Sequence, residues 1–467
     1  MTFSVLTDII CREVSIQGAG NLNRDLTKGN ITKTMLLFAL PMTAGNILQQ
    51  FYNIADTLIV GKFLGAGALA AVGASYALMI FLTSILLGLC MGSGALFSIR
   101  YGEKNIEKLK SSIFVSFFLI AGVTIIINIF SFTFIDKIIN FMKIPENIFQ
   151  MTKDYLWIIF IGIGFTFLYN FFASLLRALG NSVVPLVFLA VSAVVNIILD
   201  LWFVLGCHWG VGGAAGATVI AQGISGIGIA VYTFHKFSWI FSGFSKKFFT
   251  RSILKEISQY SFLTCMQQSI MNLGILMVQG LVNSFGTVIM AAFAAAVKID
   301  SFAYMPVQDF GNSFSTFIAQ NYGAKESERI KEGIRKAVKI STIFCVFISG
   351  AVYFFAEKLM LIFIQPHETE IIAEGVRYLR TEGLFYCGIG CLFLLYGFYR
   401  AVEKPGISLI LTIISLGTRV VLSYSLAGIS SIGVKGIWWS IPIGWILADA
   451  AGFLYFCKNK KILKNKI

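Results

Sequence analysis

Asp56 lies in the stretch NIADTLIVG, a carboxylate set in a run of apolar residues. A charge at that depth in a bilayer is costly, and acids that persist there mark ion or proton pathways. Asn46, Gln49, Asn53 and Asp56 recur at steps of three and four, so they share one face of a helix. Asn196 and Asp200 are four apart in a second apolar run. Thr218 lies in a third, four residues beyond Ala214 in a glycine-rich stretch from Gly210 to Gly216. Together these supply two carboxylates, an amide oxygen and a hydroxyl from three helices. Such an all-oxygen set suits a hard cation, and the acids can equally carry a proton. The competing readings are structural. Asp56 can pair with a nearby polar group. Asp200 precedes Leu201-Trp202, an interfacial signature that would leave it solvated. Thr218 can bond back to its own helix.

The second half carries a different set. Lys298, Asp300 and Asp309 fall in one apolar run, with Tyr304, Pro306 and Gln308 between them. Lys298 and Asp300 read as a self-compensating pair, although residues two apart do not face each other on a helix. Gln267, Gln268 and Asn272 offer neutral hydrogen bonds. Arg177 and Arg400 sit at matching helix ends and read as anchors. The chain has no Walker A sequence, so direct use of ATP is not expected. His208, His235 and His367 are isolated and lack metal-ligand spacing. The eight cysteines contain no CxxC pair, and Cys387 and Cys391, one turn apart, read as packing residues. Cys11 lies in a polar N-terminal stretch with no apolar core of the kind a cleavable leader needs. Neither an enzyme nor a cofactor is expected.

The elements that must position these groups are membrane helices. Of 467 residues, 57% are hydrophobic and only 13% charged, against about 25% charged in soluble domains. A span needs about 20 mostly apolar residues. Twelve candidates are found, at 34–60, 68–97, 111–135, 153–176, 183–205, 211–234, 256–283, 287–318, 338–360, 375–399, 406–427 and 433–457. Pro41 near the start of the first should kink or open that helix. The net charge of +14 is confined to short connecting segments, which excludes a recognition helix or a basic nucleic-acid platform. Arg12, Arg24, Lys28 and Lys33 precede the first span, and Lys246 and Lys247 fall between the sixth and seventh. Lys325 to Lys339 follow the eighth, and Lys458 to Lys466 close the chain. The alternate loops are poorer, holding Lys62, Lys137, Lys143 and Lys435. Both termini are therefore expected in the cytoplasm.

The chain also repeats. Tyr101-Gly102 recurs 221 residues later as Tyr322-Gly323, and Leu64-Gly65 recurs as Phe285-Gly286 at the same offset. After a slip of two, Arg177-Ala178 meets Arg400-Ala401 and Gly210-Val211 meets Gly433-Val434. Six spans per half give two lobes of the same orientation, a repeat arrangement known among transporters. The expected organisation is a tail at 1–30, an N-lobe at 31–236, a cytoplasmic linker at 237–252, a C-lobe at 253–458 and a basic tail at 459–467.

These residues resemble the multidrug and toxic compound extrusion (MATE) family over roughly 20–458. The opening LTKGNITKTMLLFALP, the step from Pro41 to Asp56 and the Arg177-Ala-Leu-Gly and Arg400-Ala stretches carry the resemblance. Asn196, Asp200 and Thr218 fall at the spacing of the N-lobe cation site of its DinF-like branch. Ala214 matches a position that offers a carbonyl there, and Tyr52 matches a polar N-lobe position. The resemblance implies an all-α polytopic membrane protein of twelve transmembrane helices in two pseudo-symmetric six-helix lobes. It implies export of small amphipathic, often cationic compounds against inward H⁺ or Na⁺, from a bacterial inner membrane. Substrate would meet Tyr52, Gln49, Asn53, Gln267, Tyr304 and Gln308 in a cavity between lobes. A monomer in the lipid bilayer, with no nucleic acid, is expected. Members with a C-lobe cation site carry a glutamate in the seventh helix and an aspartate in the tenth. Here those positions hold Gln267 and Gln268, and a residue near Ile389, so coupling is expected in the N-lobe. The alternatives are a flippase for a lipid-linked or amphipathic precursor, which a cavity rich in Arg and Lys would favour, and a non-transporting channel or receptor.

Overall fold

The structure, a computed structural model, describes residues 23–142, 144–242, 249–429 and 431–458. Cys11, Arg12, Lys143, Lys246, Lys247 and the basic tail at 459–467 lie outside the described residues. The described chain is helical: α1 (Ile31–Leu64), α2 (Ala66–Gly102), α3 (Ile106–Thr133), α4 (Ile135–Phe141), α5 (Glu146–Ala178), α6 (Val183–Leu201), α7 (Gly210–Lys236), α8 (Ser238–Phe241), α9 (Arg251–Asn283), α10 (Thr287–Gly323), α11 (Ser327–Met360), α12 (Thr369–Gly383), α13 (Tyr386–Ala401), α14 (Pro405–Ala427) and α15 (Val434–Lys458). A single π-helical turn, Trp202–Gly206, follows α6. Among the described residues, eleven helices are long and apolar enough to cross a membrane, or twelve spans if the bent pair α12 and α13 counts as one. This is an all-α, multi-pass membrane protein. The backbone must satisfy its own hydrogen bonds in hydrocarbon, and helices do so within each span.

The predicted tenth span, 375–399, is not one helix. It breaks between Gly383 and Tyr386, and its two parts are bent by 51°. Gly383 is a weak helix former at that point. The Phe385 amide donates to the Glu382 carbonyl at 2.9 Å and the Gly388 amide to the Phe385 carbonyl at 2.8 Å. Tight turns thus absorb the backbone groups freed by the break. Pro41, by contrast, stands inside α1 and does not open it.

The described residues form two compact units. One holds Leu40–Phe262 with the residues preceding Leu26, and the other holds Leu26–Ala39 with the residues from Leu263 on. Two helices are therefore divided. α1 passes to the first unit one residue before Pro41, and α9 passes to the second at Leu263. In the first unit α5 packs on α2, α3 and α7, and α6 on α7. In the second, α10 packs on α11, α12 and α13, and α14 on α15.

The sequence repeat reappears as backbone geometry. Gly65 and Gly286 cap α2 and α10 at φ 86° and 92°, with ψ of −179° and 174°, a region that is essentially glycine-only. Lys104 and Lys325, at φ 56° and 60°, are a second equivalent pair. Gly180 and Glu403, at φ 86° and 60°, are a third, after the slip of two. A packing contact repeats with its partners exchanged. A Cβ on Gly94 would lie 3.3 Å from Cβ of Ser174, and a Cβ on Gly397 would lie 3.3 Å from Cβ of Ser315. One glycine in either place lets the two helices approach.

The segment before α1 is held by hydrogen bonds within each unit. In the first, the Arg24 amide donates to the Gly180 carbonyl at 3.0 Å and Asn181 Nδ2 to Asn23 Oδ1 at 3.0 Å. A Cβ on Gly180 would meet the Arg24 carbonyl oxygen at 2.0 Å, so only glycine fits there. In the second, the Leu26 amide donates to Gln320 Oε1 at 3.2 Å, and Arg329 Nη2 donates to the Leu26 carbonyl at 3.1 Å.

Gly65→Ala and Gly286→Ala should each lower stability by about 1–3 kcal/mol, because alanine is strained at those backbone angles. Gly67, helical and with only an ordinary contact to Ile148 at 3.7 Å, is the control: Gly67→Ala should be neutral or better. Thermal unfolding of the detergent-solubilised variants checks both. Equal melting temperatures for all three would show that the caps carry no strain.

Candidate functional site

In the first unit, three helices bring the predicted oxygen set together. α6 carries Asn196 and Asp200, one turn apart and on its buried side. Asn196 Nδ2 donates to Oγ1 of Thr218 on α7 at 3.3 Å. α1 adds Asp56, whose carboxyl faces that of Asp200. Tyr52, one turn earlier on α1, faces Thr218 and both acids. Asp200 is 0% exposed and Asn196 1%, so Asp200 is not a solvated boundary residue. The π-helical turn begins two residues after Asp200, and such turns often mark functional positions.

The electrostatics of this group are one-sided. Asp56 Oδ1, both oxygens of Asp200 and Asn196 Oδ1 are buried without a hydrogen-bond donor. Asn196 spends its amide NH₂ on Thr218, which leaves its oxygen free. Four acceptor oxygens in this group are therefore satisfied by no donor among the described residues. Buried polar groups are almost always paired, and each orphan carries a desolvation penalty. Two ways of satisfying them are chemically available. A proton on one carboxyl can bridge to the other, or a hard cation can take oxygens from both acids, the amide and the hydroxyl. Ile59, Val60, Val72, Tyr155, Val211 and Ala214, from α1, α2, α5 and α7, belong to one buried cluster. Ala214 is thus placed in the wall beside Thr218.

Sequence reading missed Tyr155. It is buried on α5 and faces Asp56, Asp200 and Tyr52. A hydroxyl-bearing ring in the otherwise apolar YLWIIF was the available signal. The remaining α1 candidates are less enclosed. Gln49 is exposed, and Asn53 is half-buried, its carbonyl accepting from Thr57 Oγ1 at 2.7 Å.

Gln267, Tyr304 and Gln308 belong to the second unit. Gln267 is buried on α9, and the Tyr304 ring lies 6.3 Å from that of Phe393. Lys298 and Asp300 do not pair. Lys298 is exposed, with its Nζ 6.0 Å from the Phe363 ring centre, whereas Asp300 is buried and accepts from the Tyr386 hydroxyl at 2.6 Å. Opposite sides of α10 explain this, as residues two apart on a helix diverge. Arg400 ties α13 to α10 from a buried position, donating to Asn312 Oδ1 at 3.0 Å and to Ser315 Oγ at 3.3 Å. Glu382, which the sequence did not single out, is also buried in this unit.

The family model MatE matches residues 41–202 and 261–425, most of the chain. "Probable multidrug resistance protein YpnP" of Bacillus subtilis (strain 168) is 30% identical over 435 residues, covering 92% of this chain and 96% of that protein. Multidrug export protein MepA of Staphylococcus haemolyticus (strain JCSC1435) is 24% identical over 445 residues, covering 94% and 96%. Among solved structures, a MATE protein in complex with MaL6 superposes with a TM-score of 0.88 at 23% identity, over 96% of this chain and all of that one. The repeated helical units, the family match and the relatives' nearly full-length similarity agree: the chain belongs to the MatE family of multidrug and toxic compound extrusion transporters.

Proposed function

We propose that this protein is a secondary antiporter that exports small amphipathic organic cations in exchange for H⁺ or Na⁺, coupled through Asp56, Asn196, Asp200, Thr218 and the backbone at Ala214. The observation that carries this reading is the set of four buried acceptor oxygens on Asp56, Asp200 and Asn196, none with a donor. A proton or Na⁺ is the ligand such a set calls for. Its binding neutralises a buried negative charge that α1 and α6 otherwise hold apart. α1 also contains Pro41, which gives the Leu37 carbonyl no amide partner four residues on. That helix has a built-in point at which to bend when the Asp56 contact changes. Coupling requires the ion to bind two conformations unequally. Gln49, Tyr52, Asn53, Gln267, Tyr304 and Gln308 are the proposed substrate contacts, and both termini are proposed to be cytoplasmic.

Everted vesicles with a fluorescent organic cation test the proposal under a pH gradient and a Na⁺ gradient applied separately. One gradient should drive uptake of the dye, and Asp56→Asn should abolish that response. Thr218→Val and Asn196→Ala each remove one ligand oxygen and should weaken the ion dependence about tenfold, equivalent to about 1.4 kcal/mol. Gradient-driven export that survives Asp56→Asn would sink the assignment.

Stability offers an independent check. Asp200→Asn supplies a donor to the orphaned Asp56 oxygen, so the variant should melt no lower than the parent at neutral pH, with a gain of about 0.5–1.5 kcal/mol for one new hydrogen bond. The same variant should lose any Na⁺-dependent rise in melting temperature that the parent shows. A marked fall in stability would mean that the two carboxyls are already satisfied.

A further inference from the structure

Three thiols gather where α11 meets α13. Cys345 lies on the buried side of α11 and is 0% exposed. Its Sγ rests against Gly390 of α13. A Cβ there would stand 2.7 Å from that sulfur and 2.9 Å from Ser341 Oγ, so glycine is what lets the two helices seat the thiol. Cys387 and Cys391 stand three residues before Gly390 and one after it, which puts all three on one face of α13. The Cys387 side chain meets that of Cys345, and Cys391 faces both from one turn further on. Cys387 is exposed, Cys391 is partly buried, and all three are free thiols. The other polar neighbours are Ser341 Oγ, 4.0 Å from Cys345 Sγ, and Asp449 of α15, which acts on Cys391.

The scaffold does not demand sulfur here. In the first unit the residue 221 positions before Cys345 is Thr124, whose hydroxyl donates to the Ile120 carbonyl at 2.7 Å. Among the described residues no three His, Cys, Asp or Glu side chains are placed to hold one metal ion, so a structural zinc, which takes four ligands, does not fit. What remains is a pair of thiols facing each other across two helices, one open to the surface and one enclosed.

We propose that Cys345 and Cys387 form a redox-active thiol pair, which a hydroperoxide converts to a disulfide bridging α11 and α13.

Access divides the roles. Cys387 is the thiol an oxidant can reach, and its thiolate is the attacking form. It attacks the terminal oxygen of a hydroperoxide, ROOH. An S–O bond forms, the O–O bond breaks, and ROH leaves with the proton that the thiol gave up. Cys387 is then a sulfenic acid, which condenses with a neighbouring thiol. Cys345 supplies that thiol: its sulfur forms the S–S bond, the S–O bond breaks, and water leaves with the Cys345 proton. In sum, two thiols and one ROOH give one disulfide, ROH and water, and the two electrons lost by sulfur go to the O–O bond. Cys345 is the partner because its side chain meets Cys387 directly, whereas Cys391 acts on Cys345 through charge alone. Cys387 stands in the first turn of α13, just past the 51° break from α12. A bridge at that place ties the start of α13 to α11 and removes freedom from the bend.

Mass spectrometry of the purified protein in liposomes tests this without measuring transport, so failure of the antiport reading leaves the test intact. The reduced protein is treated with cumene hydroperoxide, which enters the bilayer, or with hydrogen peroxide, which stays in water, and is digested without reductant. The expected product is a peptide pair joined through Cys345 and Cys387, lighter by two hydrogen atoms and separated by dithiothreitol, with the loss of two free thiols per chain. A bridge formed with either oxidant supports the pair, and the faster one tells from which phase the oxidant arrives. Cys391→Ser should keep the bridge. Cys345→Ser should abolish it and leave Cys387 as a sulfenic acid that dimedone traps. If a variant fails to fold, the digest of the parent decides. Absence of the Cys345–Cys387 bridge with both oxidants, or a bridge from Cys387 only to Cys391 or to another copy of the chain, would overturn the proposal.

Discussion

The constraint on which this protein turns is the apposition of Asp56 and Asp200, where Asp56 Oδ1 and both Asp200 oxygens have no donor among the described residues. An isolated carboxylate could be accommodated by one hydrogen bond. Two facing each other cannot satisfy one another while both are ionised, and the amide that might have helped spends its NH₂ on Thr218. The pocket therefore leaves acceptor oxygens without a donor among the described residues, and the proposed antiport has a proton or cation complete it. The low dielectric that makes an unpaired group expensive also makes the added partner effective. In the proposed mechanism a small ligand would then alter the energy of helices joined by packing and by a few hydrogen bonds such as that of Asn196 to Thr218.

Those helices are placed by small residues and by backbone geometry. The chain lies in a solvent as apolar as its own side chains, so burial of hydrocarbon does little to choose neighbours. The choice falls to close approach, as where Gly94 meets Ser174 in one unit and Ser315 meets Gly397 in the other. It falls also to glycine caps that start α2 and α10 at the same unusual angles. The two units share this scaffold and differ in what is mounted on it. The first carries a donor-less acid pair. The second carries two buried acids near Arg419, of which Asp300 accepts from the Tyr386 hydroxyl.

α1 joins these themes. It is divided between the two units just before Pro41, and it delivers Tyr52 and Asp56 to the first. Proline withdraws one hydrogen bond from the helix ladder at that place. The helix that bears the acid thus also carries a point of weakened backbone hydrogen bonding.

Much of this was legible in the residues. Apolar runs of membrane length determined the all-α class, because hydrocarbon leaves the backbone few other options. The 221-residue repeat determined the paired architecture, since Gly65 and Gly286 must recur where the same left-handed backbone recurs. Helical spacing placed Asn196 with Asp200, and the polar face of α1 with Asp56. Tertiary structure alone decided the rest. Spacing states which residues share a face of one helix, and it does not state what that face meets. Asp200 beside Trp202 read equally well as interfacial until packing buried it. Tyr155 and Glu382 stand in predicted spans, but only the packing of neighbouring helices shows that they face buried acids. At Gly383 the polar run of Arg377, Arg380, Thr381 and Glu382 gives way to the apolar stretch from Leu384 on, and residue spacing does not fix the 51° bend found there. A hydropathy pattern records which surfaces avoid water, whereas partners across helices are set by three-dimensional contact between segments far apart in the chain.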